Sequence, residues 1–187
     1  MKTAQKPGPL MLASGDRSGE WTDFTKVLMD NRRAPMDGIS LHYYTVLGDK
    51  WENKDNAVGF SEEGWARGLA NTVKMDGYIK THDDVMAAAE KKSNHPEKKI
   101  GLYIDEWGTW YKPYPGTNPG FLVQQNTMRD AVVAAANWKI FHKCADRVQM
   151  TSIAQTINVL QAMILTDVAK MVLTPTYHGF HMYKPSQ

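Results

Sequence analysis

Short β-rich apolar runs alternate with longer stretches of helical periodicity along this chain, and that alternation restricts its fold more than any other feature. The runs are Leu10–Ser14, Ile39–Thr45, Ile100–Glu106 and Arg147–Ile153. Between and after them lie amphipathic stretches. Ser18–Asn31 carries Trp21, Phe24 and Leu28 on one face, and Ser61–Lys80 carries Trp65, Leu69, Val73 and Ile79. Gln124–Lys143 carries Met128, Val132, Ala135, Ala136 and Ile140. Each set has the spacing of a half-buried helix. Thr81 and Asp84 resemble a capping box, so a separate helix is expected over Thr81–Lys92. Ser18 or Gly19 could cap the first helix, with Glu20 and Asp23 in its first turn. Asn118–Pro119 is a helix-start signal, and Thr174–Pro175 opens a last helix through about Tyr183. Strand and helix in strict succession imply a parallel sheet with right-handed crossovers. The expected class is α/β.

A length of 187 residues suits one domain. Hydrophobic residues at 42% and charged residues at 22% are ordinary for a globular protein, and a net charge of +2 without a basic stripe gives no sign of nucleic acid. The lone Cys144 excludes an intrachain disulfide and a cysteine-rich zinc site, and is expected as a small buried group. No apolar run reaches membrane-spanning length, and Met1–Leu12 is too weakly apolar for a signal peptide, so the expectation is a cytoplasmic protein. Met11, Met29, Met75, Met86 and Met128 are expected as core fillers.

In parallel α/β folds ligands bind at the carboxyl ends of the strands. There the sequence places Gly15 and Asp16, then His42 and Tyr44, then Glu106 and Trp110, then Gln155 and Asn158. A carboxylate flanked by aromatic residues at a strand end is what a sugar site would use. Alternation along the strand sends Asp105 and Glu106 to opposite faces, leaving Glu106 to face the site and Asp105 as a structural neighbour. The plainer alternatives are a solvated acidic turn, a core histidine at His42 and a backbone-satisfying Gln155. His42 and Glu106 make a poor ligand set, so neither a metal nor a cofactor is expected. No nucleophile elbow and no phosphate-binding glycine loop is present.

The segments ISLHYYT (39–45), GLYIDEWGTWY (101–111), PGTNPGFLVQQNTMR (115–129), ADRVQMTSIAQTINVLQAMIL (145–165) and LTPTYH (173–178) together resemble the α-L-arabinofuranosidases of glycoside hydrolase family 51. The resemblance implies a retaining catalytic domain of the (β/α)8, TIM-barrel type. It implies that Glu106 is the nucleophile and that His42, Tyr44, Trp110 and Gln155 bind substrate. The family's Gly-Asn-Glu acid/base motif is absent. The resemblance therefore implies about four β/α units, the second half of the barrel, forming a single partial domain over residues 1–187 without the family's β-sandwich. The partners it implies are arabinose-containing oligo- or polysaccharides such as arabinan or arabinoxylan, and further copies of the chain joined through exposed barrel edges. An endoglucanase or xylan-directed activity on the same site, or a sugar-binding fragment lacking the acid/base, are the alternatives.

Overall fold

A computed structural model describes residues 8–15, 21–31, 36–48, 50–94 and 98–186. Its centre is a parallel sheet of β1 (Leu12–Ala13), β2 (Gly38–Thr45), β3 (Gly101–Thr109) and β4 (Val148–Ile153), ordered β1-β2-β3-β4. Around it run the helices α1 (Thr22–Asp30), α2 (Glu62–Lys91), α3 (Met128–Lys143) and α4 (Pro175–Tyr183). Ile39, Leu41, Leu102, Ile104 and Val148 from the strands meet Met29 of α1, Met75, Ile79 and Met86 of α2, and Trp138 and Phe141 of α3 in one buried cluster. Phe180 and Tyr183 of α4 pack against it. All of the helices thus cover one face of the sheet. Trp107 is fully buried in this layer, 5.3 Å from the ring centre of Phe141, so it belongs to the core and not to the rim.

The alternation predicted from sequence is present, with differences in detail. Residues 61–91 do not break at Thr81. Its hydroxyl donates to the carbonyl of Gly77 at 2.7 Å instead of capping a new helix, and α2 runs unbroken for 30 residues, about 45 Å. Its start is as expected, the Ser61 hydroxyl accepting from the Gly64 amide at 3.1 Å. Asn118–Pro119 starts only a 3-10 turn, Pro119–Phe121. The long helix begins later, at Met128, where Thr127 and Asp130 form a capping box. Residues 159–165 lead into an antiparallel hairpin of β5 (Ile164–Asp167) and β6 (Lys170–Leu173). α4 starts as expected on Thr174, whose hydroxyl accepts from Tyr177.

The buried stripes also shift. In α3, Met128 and Val132 face solvent, while Val133, Ala134, Trp138, Ile140 and Phe141 are buried. Trp21, Phe24 and Val73 are exposed, and Thr25, Met29, Thr72 and Met75 face inward. Polar side chains can take these inward places because they find partners there. Thr25 Oγ1 and His82 Nδ1 lie 2.8 Å apart, and Thr72 Oγ1 donates to the Gly68 carbonyl. Met29, Met75 and Met86 fill the core as expected, whereas Met11 and Met128 are exposed. Cys144 is half-buried, its Sγ 3.9 Å from Asp76. Ser18, Gly19 and Glu20, expected at the start of α1, lie outside the described residues, as do Asp16 and Asp49.

At the amino end of the sheet, a buried guanidinium ties three elements together. Arg147, just before β4, donates to both carboxylate oxygens of Glu90 in α2 at 2.8 and 3.0 Å, and to the carbonyl of Ile100 at 2.7 Å. The Ile100 amide in turn donates to Glu90.

Candidate active site

The site lies on the sheet face opposite the helices, toward the carboxyl ends of β2 and β3. Its geometry depends on an irregularity in β3. Ser40 pairs with Tyr103 and His42 with Glu106, so β3 carries one residue more than β2 across this interval. Against β4, Ile104 pairs with Thr151 and Trp107 with Ile153, which again leaves one extra residue on β3. A β-bulge of this kind interrupts the alternation of side chains. As a result Asp105 and Glu106 do not point apart. His42 Nε2 stands 3.2 Å from Asp105 Oδ1, and His42 Nδ1 stands 3.5 Å from Glu106 Oε2. The expectation that Asp105 points away from the site is corrected by this register shift. Asp105 Oδ1 is buried and, though close to His42, lacks an aligned hydrogen-bond donor among the described residues. The acidic pair also lies inside β3, which continues to Thr109, and not at its end.

Tyr44 donates its hydroxyl to Glu106 Oε2 at 2.9 Å. Burial, followed by the bond to Glu106 and the charges of Glu106 and Asp105, raises the phenol's pKa well above its usual value. It therefore stays protonated and remains a donor. Glu106 keeps 47% of its side chain exposed, so the carboxylate is open to a ligand.

Trp110 sits just beyond β3. Its ring meets Tyr44 edge-on, with centroids 5.0 Å apart, and Trp51 in the same manner at 5.0 Å. Trp51 comes from the loop between β2 and α2 and brings Lys54 with it. The Lys54 ammonium lies 3.9 Å from the Trp51 ring centre and 5.5 Å from that of Trp110. Neither Trp51 nor Lys54 is marked by a motif in the sequence. The length of that loop was the signal, since long loops in compact domains are often functional.

Gln155 follows β4 at the same end of the sheet, but its side chain is exposed and has no hydrogen-bond partner among the described residues. The buried glutamines are others. Gln161 accepts from the Thr109 amide at 2.9 Å and donates to the Asp130 carbonyl and the Thr176 hydroxyl. Gln124 accepts from the Tyr111 amide and donates to the Thr109 carbonyl. Asp130 accepts from the hydroxyls of Thr109 and Tyr111 at 2.8 and 2.9 Å. Arg129 lies over the rings of Phe60 and Tyr111, and its Nη2 reaches the carbonyls of Asn56 and Ala57. This network fixes both the segment that carries Trp110 and the far end of the loop that carries Trp51. Among the described residues, no three His, Cys, Asp or Glu side chains converge as a metal site would need, and no helix is long and apolar enough to cross a membrane.

The chain is similar to known proteins in sequence and fold. Residues 105–187 match the family model of the α-L-arabinofuranosidase C-terminal domain. An intracellular exo-α-L-arabinofuranosidase of Bacteroides ovatus is 46% identical over 179 residues, which are 94% of this chain and 33% of that protein. An intracellular exo-α-(1→5)-L-arabinofuranosidase of Halalkalibacterium halodurans is 27% identical over 83% of this chain and 30% of its own length. The crystal structure of the family 51 arabinofuranosidase of Xanthomonas axonopodis pv. citri superposes with a TM-score of 0.90 at 48% identity, covering 100% of this chain and 36% of that one. The chain thus spans about a third of the length of the curated relatives it matches. Over nearly all of its residues in sequence, and in the fold those residues adopt, the chain is similar to about a third of the length of α-L-arabinofuranosidases, a family 51 member among them.

Proposed function

We propose that this chain carries the nucleophile half of a retaining α-L-arabinofuranosidase site, with Glu106 as the nucleophile. The carrying observation is the Tyr44–Glu106 contact. Tyr44 and His42 both address Oε2, which leaves Oε1 free to attack an anomeric carbon. Attack expels the leaving sugar and gives a glycosyl-enzyme ester, which water then opens. His42 and Tyr44 orient the carboxylate and contact the sugar's hydroxyls, and Trp110 covers an apolar sugar face. Gln155 would contact the sugar from the β4 side of the rim. The substrates are terminal α-L-arabinofuranosyl groups of arabinan- or arabinoxylan-type chains.

Retention requires a second carboxyl group about 5 Å from the nucleophile, to protonate the leaving oxygen. Asp105 is the carboxylate that shares His42 with Glu106, but it lies in the same strand and has only its buried Oδ1 toward the imidazole. The acid therefore belongs to the other half of a (β/α)8 barrel. The singly wound sheet supports that architecture, because its helices lie on one face and its site on the other. The reading extends to residues 1–187 as one partial barrel domain, to association through its open edges, and to an intracellular location like that named for the relatives.

That no second carboxylate is well placed among the described residues favours one other reading, that the chain alone binds arabinofuranosides without turning them over. Assay of the purified chain with 4-nitrophenyl α-L-arabinofuranoside separates the two. Turnover that Glu106→Ala removes supports the enzyme. Turnover that survives Glu106→Ala sinks the nucleophile assignment. Saturable binding without turnover supports the alternative.

A further inference from the structure

Lys54 is held against the aromatic residues of the candidate site. Lys26, Lys80, Lys98 and Lys143 are each ion-paired, with Asp30, Asp84, Asp37 and Asp76 respectively. Lys54 has no carboxylate within ion-pair distance among the described residues. Its ammonium is folded over the indoles of Trp51 and Trp110 and donates to the Trp51 carbonyl at 3.0 Å. Partial burial lowers its pKa, and the charge of Glu52 pulls the other way. An indole face carries no formal charge, so it holds the ammonium without neutralising it. The charge is therefore left available at a defined place.

That place follows from the ring contacts. Glu106 is bonded to Tyr44, Tyr44 touches Trp110, and Trp110 touches Trp51 beneath Lys54. Lys54 thus stands two ring-to-ring steps from the reacting carboxylate. Lys54 thus lies past Trp110 as counted outward from Glu106.

We propose that Lys54 is a specificity-determining residue that makes the leaving-group side of the site favour arabinofuranosides carried on carboxylate-bearing chains, of the uronic acid class. This rests on the reading of Glu106 as an arabinofuranosidase nucleophile. Trp51 and Trp110 supply a sugar-stacking wall, and Lys54 supplies the charge that distinguishes an acidic neighbour from a neutral one.

Two aryl glycosides of equal size test it: 4-carboxyphenyl and 4-carbamoylphenyl α-L-arabinofuranoside, which differ in charge alone. Their dissociation constants are measured on the full chain by tryptophan fluorescence at low ionic strength, for the parent, Lys54→Met and Lys54→Arg. The parent is expected to hold the carboxylate about fivefold tighter, the scale of a partly exposed ion pair. Lys54→Arg keeps the preference, Lys54→Met removes it, and added salt erases it in the parent. Equal affinities in the parent, or a preference that persists in Lys54→Met, overturn the role of Lys54 alone. Binding of neither glycoside by folded protein overturns the sugar-site reading, and this proposal with it.

Discussion

The contact between Tyr44 and Glu106 joins a neutral donor to a charged acceptor, and bonds of that type contribute more than neutral ones. Tyr44→Phe removes the donor while keeping the ring that packs on Trp110. It is expected to lower kcat on an aryl arabinofuranoside about tenfold, with KM moving little and the circular dichroism spectrum unchanged. A larger change in KM than in kcat would mean that Tyr44 serves binding of the sugar and not the carboxylate. His42, Tyr44 and Glu106 were legible as a group because two short segments, HYY and DEWG, place them on neighbouring strands. The position of Asp105 was not legible. It depends on one unpaired residue in β3, and a bulge leaves no mark in a pattern of apolar and polar residues. Gln155 illustrates the same limit. Placing it at the carboxyl end of β4 needed only the strand, but the partners of a glutamine are set by the loops around it, and it is Gln161 that they bury.

Among the elements, α3 begins on a residue with two functions. Asp130 closes the capping box with Thr127 and also accepts from Thr109 and Tyr111 at the end of β3. Asp130→Ala removes the cap and orphans buried hydroxyls, and is expected to cost about 2 kcal/mol in urea unfolding. Burial raises the pKa of this carboxyl above its usual value, against the lowering effect of its hydrogen bonds. For this group the stabilising contribution is complete below the unfolded pKa and is lost as pH rises through the folded one. Asp130→Asn is therefore expected to flatten the pH dependence of the unfolding midpoint over that window. At the opposite end of the sheet, Glu90→Ala would leave the Arg147 guanidinium buried with Asp83 as its remaining carboxylate partner. Breaking a buried pair from one side costs about 3 kcal/mol, to be read as a lowered urea midpoint with an unchanged slope. Alternation of strands and helices was legible from periodicity alone. The continuity of α2 was not, because Thr81 offers the same residues to a cap or to a back-bond within the helix, and burial of Ile79 and Met86 in the core and of His82 against Thr25 of α1 decides between them.

Over the whole molecule, the sheet is covered on one face and open on the other. Ser40, His42 and Tyr44 of β2 and Tyr103 of β3 lie along the face without helices, and the ring of Tyr103 lies so close to Gly38 and Gly101 that a methyl group at either would collide with it. Among the described residues β1 and β4 have no outer partner strand, and Leu10, Met11, Leu12 and Met150 beside or within them are exposed. Exposed apolar strand edges promote association. Sedimentation velocity of the purified chain is expected to show a concentration-dependent shift to dimers or larger species, and a monomer at every concentration would count against that. The strand order has a kinetic consequence as well. Each strand of the sheet pairs with the strand that precedes it in the chain, after a single intervening crossover. The pairings join Leu12 to Gly38, Gly38 to Gly101 and Leu102 to Val148, so a whole crossover must be ordered before each one forms, although the entropy of closing a loop rises only slowly with its length. During synthesis each new strand therefore finds its template already exposed from the ribosome, and the sheet can grow in the direction of translation, one β/α unit at a time.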